Sequence, residues 1–324
     1  IELDLAIRLQ ADVGAGFGLA VELLEVDADG AVEAEQVRTD GRARGVGHTD
    51  AAHPQHVLQR TVHEHAAQPV LEAVGTGNRL AVEDRRADLA GMLDALGLDK
   101  AIFAGHDWGG MVVWQMALRH ADRVAGVIGV NTPFIPRGPI DPIAGMRMMF
   151  GEDMYIVFFQ KYGVAEAIFD KDVARSMRFW YRKSAMKLAD YDKLPADQKN
   201  LSFIKSFDSD ENTWPGEQLL NAEELAYYTR LFEKSGFVGG INWYRNFTRN
   251  WQITEGQVEK VTAPALMVSA ADDIVLRPEM TIGMEQYVPD LEKHVIADCG
   301  HWTQSEKPEA LNALMVDWLK RRFG

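Results

Sequence analysis

The stretch "AIFAGHDWGGMVVWQMALRH", residues 101–120, decides the fold. With Lys100 before it, "KAIFAG" reads as a short buried strand. The run stops at Gly105, and "GGMVVWQMALRHADRV" resumes as a mostly apolar helix, a pattern that implies burial. "AGVIGVNTP" follows as a second strand, closed by Pro133. Strand, helix, strand in this order predicts a parallel sheet with crossover helices. At the corner sits Asp107, an ionisable carboxylate that a purely structural turn does not need.

Outward from this unit the pattern stays readable towards the C-terminus. In "VEDRRADLAGMLDALGLD", Val82, Leu89, Met92, Leu93 and Leu96 fall near helical spacing, and Gly97 suits the position that ends a helix. Residues 134–249 are rich in Phe, Tyr, Trp and Met and read as a helical insertion. "APALMVSAADD" is a buried strand ending in acids, and "KHVIADCGHW" a strand ending in a histidine. "EALNALMVDWLKRRF" is an amphipathic closing helix, basic in its last turn, where the helix dipole favours cations. The expected division is an atypical segment over 1–79 forming part of an α/β core, core over 80–133, the insertion over 134–249, and the C-terminal core over 250–324.

The 324 residues carry a net charge of −14, which repels phosphate backbones and argues against nucleic acid. Apolar runs are too short to span a bilayer, so no membrane association is expected. Glu2 and Asp4 do not suit a secretory leader. The single cysteine, Cys299, fits a reducing cytoplasm and reads as a small buried apolar residue. Neither a metal-ligand cluster nor a cofactor signature is apparent, and the oligomeric state stays open, a homodimer included.

Gly105-His106-Asp107-Trp108-Gly109 has the form G-x-D-x-G, similar to the nucleophile elbow G-x-S-x-G with Asp in the Ser position. The small residues allow a sharp strand-to-helix turn, with the apical side chain at a helix N-terminus that favours negative charge. Asp272 and Asp273 follow one later strand and His301 another. Taken singly, each fits a helix cap or a core histidine. Taken together, they lie at strand ends that converge on one sheet edge, in the order nucleophile, acid, histidine. An aspartate nucleophile restricts the reaction. Serine attacking saturated carbon would leave an ether that histidine and water cannot cleave, whereas a carboxylate leaves an ester that they can. Epoxides and alkyl halides are substrates of that kind.

The stretches "GHDWGGMVVWQMAL", "NTPFIP", "GVAEA", "SGFVGGINWYRNFTRNW", "PALMVSAADDIVL" and "DCGHWTQSEKPE" occur in order between residue 80 and the C-terminus. Over these residues, about three-quarters of the chain, the sequence resembles the Asp-nucleophile epoxide hydrolases of the α/β-hydrolase fold, notably the soluble type. The resemblance implies a mostly parallel central sheet flanked by helices, with the insertion as a helical cap (lid) domain. It implies Asp107 as nucleophile, Asp273 rather than Asp272 as orienting acid, and His301 as base. It places the two catalytic tyrosines of the family at Tyr155 and Tyr244, whose phenols would hold the epoxide oxygen and protonate it as the ring opens. The residues alone read both as packing aromatics. The backbone N–H of Trp108 is the expected oxyanion donor, and Trp108, Phe134 and Trp302 are the expected pocket walls. The implied partners are a small apolar epoxide and water, the product a vicinal diol, the cofactor none, and the setting a cytoplasmic detoxification step. Haloalkane dehalogenase is the alternative that shares the nucleophile, and a non-catalytic binding protein the alternative outside enzymes.

The resemblance fails upstream. The family's His-Gly-x-Pro turn, source of a second oxyanion donor, has no counterpart, because the chain contains no His-Gly dipeptide. "AGFG" at 15–18 and "RGVGHTD" at 44–50 are the nearest matches to the family's turns. The Ala, Arg, His and Val bias of the first eighty or so residues suits reading out of frame from a GC-rich gene; the alternative is a divergent native segment.

Overall fold

Uninterrupted apolar runs become strands covered on both faces. The computed structural model describes residues 20–26, 32–34, 89–94, 96–199 and 201–324. In chain order, β1 (Ala20–Val26) and β2 (Val32–Ala34) precede β3 (Ala101–His106), α1 (Trp108–Arg119) and β4 (Val124–Val130). Helices α2 (Pro142–Phe150), α3 (Tyr155–Phe158), α4 (Val164–Phe169), α5 (Val173–Trp180) and α6 (Leu188–Tyr191) follow. The helical run continues through α7 (Phe203–Phe207), α8 (Ala222–Ser235), α9 (Val238–Arg245) and α10 (Phe247–Ile253). The chain then returns to β5 (Ala265–Ala270), β6 (Leu291–Ile296), α11 (Thr303–Glu306) and α12 (Pro308–Phe323).

The sheet runs β2-β1-β3-β4-β5-β6. From β3 to β6 every pairing is parallel. β1 pairs antiparallel with both β3 and β2, an edge that the sequence reading did not anticipate. Every residue of β3 and β5 is buried. Alternation along the strands divides the core in two. Phe103, Val127 and Met267 face Val113, Trp114 and Met116 of α1. Ile102, Ile128 and Leu266 face Leu311, Met315 and Trp318 of α12. Each such fully buried side chain contributes about 1.5–3 kcal/mol of transfer free energy. The helical residues 89–94 and 96 precede Gly97, whose φ of +71° suits the expected terminating role.

The α2–α10 segment packs around its own aromatic cluster, which includes Phe159, Phe169, Phe232 and Phe237 and is joined to the sheet layer by Trp108 and Trp302. Local chemistry starts its helices. Asp141 caps α2 just before Pro142, and Asn221 and Glu224 form a reciprocal capping box on α8. Among the described residues no helix is long and apolar enough to cross a membrane. Most of segment 1–79, with both candidate turns at 15–18 and 44–50, lies outside the described residues.

Candidate active site

Asp107 occupies the corner between β3 and α1 with φ 50° and ψ −119°, a backbone conformation that costs a non-glycine residue about 1–3 kcal/mol. Close packing holds it there. A Cβ on Gly105 would run into the Gly109 carbonyl oxygen, and one on Gly110 would stand 2.6 Å from Thr132 Cβ. Thr132 Oγ1 donates to the Asp107 carbonyl at 2.7 Å. The strand and helix can therefore approach only because both positions are glycine.

Three strand ends then converge. β5 is followed by Asp272 and Asp273, which diverge. Asp273 accepts from His301 Nδ1 at 2.9 Å. Asp272 turns to the helical segment, taking Lys187 Nζ at 3.0 Å and the Leu188 N–H at 3.1 Å. The Asp273 carboxylate is saturated: Asn131 Nδ2 donates at 2.8 Å, and the N–H groups of Val275 and Leu276 each donate at 2.9 Å. Burial opposes its charge, but His301, the Leu276 N–H and Asn131 prevail and hold it well below the usual carboxylate range. β6 ends at Ile296, so His301 stands on the loop beyond it rather than at the strand terminus.

His301 Nε2 lies 3.8 Å from Asp107 Oδ1, close enough for charge attraction and too long for a hydrogen bond. Burial works against an imidazolium, yet Asp273 first and Asp107 second raise the His301 pKa to about 9. Burial also pushes Asp107 up to about 6, against the pull of the His301 charge and of a hydrogen bond from the Trp108 backbone N–H. The expected oxyanion donor is thus already directed at the Asp107 carboxylate.

The helical segment brings the two phenols to the same place. Tyr155 opens α3 and Tyr244 lies near the end of α9, with ring centroids 5.5 Å apart in a T-shaped pair. The Tyr244 ring also meets the Trp108 ring edge-on, with centroids 5.2 Å apart. Burial, with the Asp107 charge adding to it, raises both phenols far above the ordinary phenol range, so both stay protonated.

Of the expected pocket walls, two meet this site. The Trp108 ring packs against Trp243, Tyr244 and Phe247. Trp302 stacks on Tyr181 at 4.4 Å and gives its indole N–H to the Trp180 carbonyl. Phe134 is elsewhere: it packs on Trp114 and Tyr287 in the α1-side core. A cavity of about 260 Å³ lies behind the His301 loop, lined by Lys187, Asp272, Cys299, Gly300 and Glu306 among others. Neither Asp107 nor the phenols line it.

Two further residues escaped sequence reasoning. Asn131, at φ 60°, donates to both Asp273 and the His301 carbonyl and accepts from Thr303 Oγ1 at 2.6 Å. His106 is wholly buried, and burial followed by the His301 charge lowers its pKa to about 3. It is therefore neutral, and its Nε2–H donates to the His301 carbonyl at 2.7 Å. The only signal for either was its place inside a quoted motif.

Residues 43–308 match the alpha/beta hydrolase fold family. The chain is 40% identical over 238 residues to Bifunctional epoxide hydrolase 2 of Mus musculus, covering 72% of this chain and 41% of that protein. It thus spans under half the length of the mouse relative. It is 36% identical over 250 residues to Epoxide hydrolase A of Mycobacterium tuberculosis, covering 72% and 73%. The crystal structure of Epoxide Hydrolase A from Mycobacterium thermoresistibile is similar with a TM-score of 0.62 and 36% identity, over 77% of this chain and 76% of that one. With the elbow, the converging strand ends and these relatives in view, the chain is a member of the alpha/beta hydrolase fold family, in the branch of the epoxide hydrolases.

Proposed function

We propose that the chain opens an epoxide to a vicinal diol through a covalent ester on Asp107, with the α2–α10 segment, read from the sequence as residues 134–249 and extending to Ile253, acting as a cap over the core. The observation that carries this reading is the paired phenols of Tyr155 and Tyr244 set against the Asp107 carboxylate. A departing alkoxide needs an acid beside it at neutral pH, whereas a halide does not. Of the tryptophan N–H groups that a dehalogenase could offer a halide, that of Trp302 is already given to the Trp180 carbonyl.

The resting charges set the order of events. At pH 7 Asp107 is mostly ionised and His301 is an imidazolium between two carboxylates. The epoxide oxygen binds the two hydroxyls, and Asp107 attacks a ring carbon. The C–O bond breaks, and the new alkoxide takes a proton from one phenol. Ester formation removes the Asp107 charge, which lowers the His301 pKa from about 9. His301 then returns a proton to the phenolate through solvent and becomes neutral. The Asp273 carboxylate keeps its remaining proton on Nδ1, leaving Nε2 as the base. His301 takes a proton from water as the oxygen attacks the ester carbonyl, and the oxyanion meets the Trp108 backbone N–H. Collapse expels the product alkoxide, which takes the proton of the carboxylic acid just formed. The cycle ends with ionised Asp107, protonated His301 and the diol, and consumes one water.

The test is product analysis with a styrene-oxide-type epoxide and, separately, a haloalkane. Diol release without halide release supports the proposal. Halide release points to dehalogenation, and binding without turnover to a non-catalytic protein.

A further inference from the structure

We propose that Arg245 is a positioning residue that holds the Tyr155 and Tyr244 phenols in register for ring opening; this rests on the function proposed above. Arg245 directly follows Tyr244 at the end of α9, yet its side chain is 2% exposed. The guanidinium reaches back to the chain that follows Tyr155. Its Nε donates to the Phe159 carbonyl at 2.8 Å, one turn after Tyr155, and Nη2 to the Lys161 carbonyl at 3.3 Å. Glu166 of α4 closes a two-point pair with Nη1 at 2.5 Å and Nη2 at 3.0 Å. Asn242 Oδ1, on α9 itself, accepts from Nη1 at 2.9 Å. One planar group thus joins α9, α4 and the turn after α3.

A second brace lies alongside. Gln160 Nε2 donates to the Ile156 carbonyl at 2.9 Å and to the Tyr244 carbonyl at 3.1 Å, linking the two tyrosine-bearing helices directly. α3 has only four residues and cannot hold its own orientation by internal hydrogen bonds. A fixed, charged fork that satisfies several carbonyls at once is the means by which such a short helix is aimed. Stability alone does not call for this arrangement, since a buried ion pair is weak evidence for stability and often replaceable by apolar packing.

The chemistry provides a separating readout. The phenols act when the ring opens; His301 and Asp273 act when the ester is hydrolysed. Single-turnover mixing of the intact chain with a styrene-oxide-type epoxide, followed by acid quench and mass analysis, measures the two rates separately. Arg245→Met should slow ester formation by about 10- to 100-fold, the scale expected for an ångström of misplacement, with ester hydrolysis changed less than about threefold. Arg245→Lys, which keeps the charge but loses the fork, should recover part of that loss. Gln160→Met removes the second brace without stranding a charge and should slow the same step by a smaller factor. These two variants decide the matter if Arg245→Met does not fold. Equal slowing of both steps, or unchanged ester formation in Arg245→Lys and Gln160→Met, overturns the proposal. A purely structural role lowers the amplitude of the reaction and leaves its rate constants unchanged. Absence of any ester in the unaltered protein would instead remove the function on which the proposal rests.

Discussion

Asp273→Asn separates the two halves of the proposed reaction with almost no change of shape. Oδ1 of Asp273 accepts two backbone N–H groups, so the amide oxygen of the substituted side chain is anchored there. The new NH2 then replaces Oδ2, which today faces Asn131 Nδ2 at 2.8 Å and His301 Nδ1 at 2.9 Å. Donor now meets donor on both sides. His301 relieves the clash by presenting a bare Nδ1, which puts its proton on Nε2, the nitrogen assigned to take a proton from water. The largest force raising the His301 pKa also disappears. Ester hydrolysis should fall on the order of 10⁴-fold, the scale seen when a triad histidine is held in the wrong tautomer. Ester formation needs Asp107 and the phenols and should survive. Loss of one partner of the buried pair should cost about 3 kcal/mol of stability. The assay is rapid-quench mass analysis beside urea unfolding. Hydrolysis within a few-fold of the unaltered rate, or no accumulation of ester, would refute the tautomer argument.

Three further outcomes are expected. Asp107 must be ionised to attack, and burial raises its pKa to about 6, so kcat/KM should fall tenfold per pH unit below about 6; a profile flat to pH 4.5 contradicts this. The His301 pKa is raised in the folded chain, so its stabilisation is complete below about 6.5, its unfolded value, and is lost as pH rises through about 9. Denaturant unfolding from pH 6.5 to 9.5 should show a decline on the order of 2–3 kcal/mol that is missing in His301→Gln; the same decline in both proteins contradicts it. Gly105→Ala puts a methyl against the rigid Gly109 carbonyl and should destabilise by about 3 kcal/mol, and a loss under about 1 kcal/mol in the same assay would mean that the corner relaxes easily.

What could be read in the sequence was what leaves a periodic or positional trace. β3 and β5 are buried throughout and β4 at all but one residue, so these strands are nearly unbroken apolar runs, and the mostly buried α1 is mostly apolar. Asp107 and Asp273 were legible because each follows such a run, and His301 because it completes, beyond β6, an order with chemical meaning. β1 was not, since Glu22 and Glu25 interrupt its apolar residues. Tyr155 and Tyr244 carry no pattern of their own among the many aromatics of 134–249, and only the family resemblance separated them from packing. Phe134 packs in the α1-side core rather than beside the phenols, a placement that no hydrophobic period records. Asn131, His106 and Arg245 act through hydrogen bonds between positions 142, 195 and 86 residues apart, contacts that linear spacing does not encode.

The central claim is that Asp107 carries the substrate as an ester, and His301→Gln tests it most directly, because that change removes the base and leaves the nucleophile and phenols in place. Incubated with a styrene-oxide-type epoxide and examined by intact-protein and peptide mass analysis, the variant should gain the mass of one epoxide, located on the peptide containing Asp107. Undiminished diol production with no added mass, or an adduct on another residue, contradicts the account.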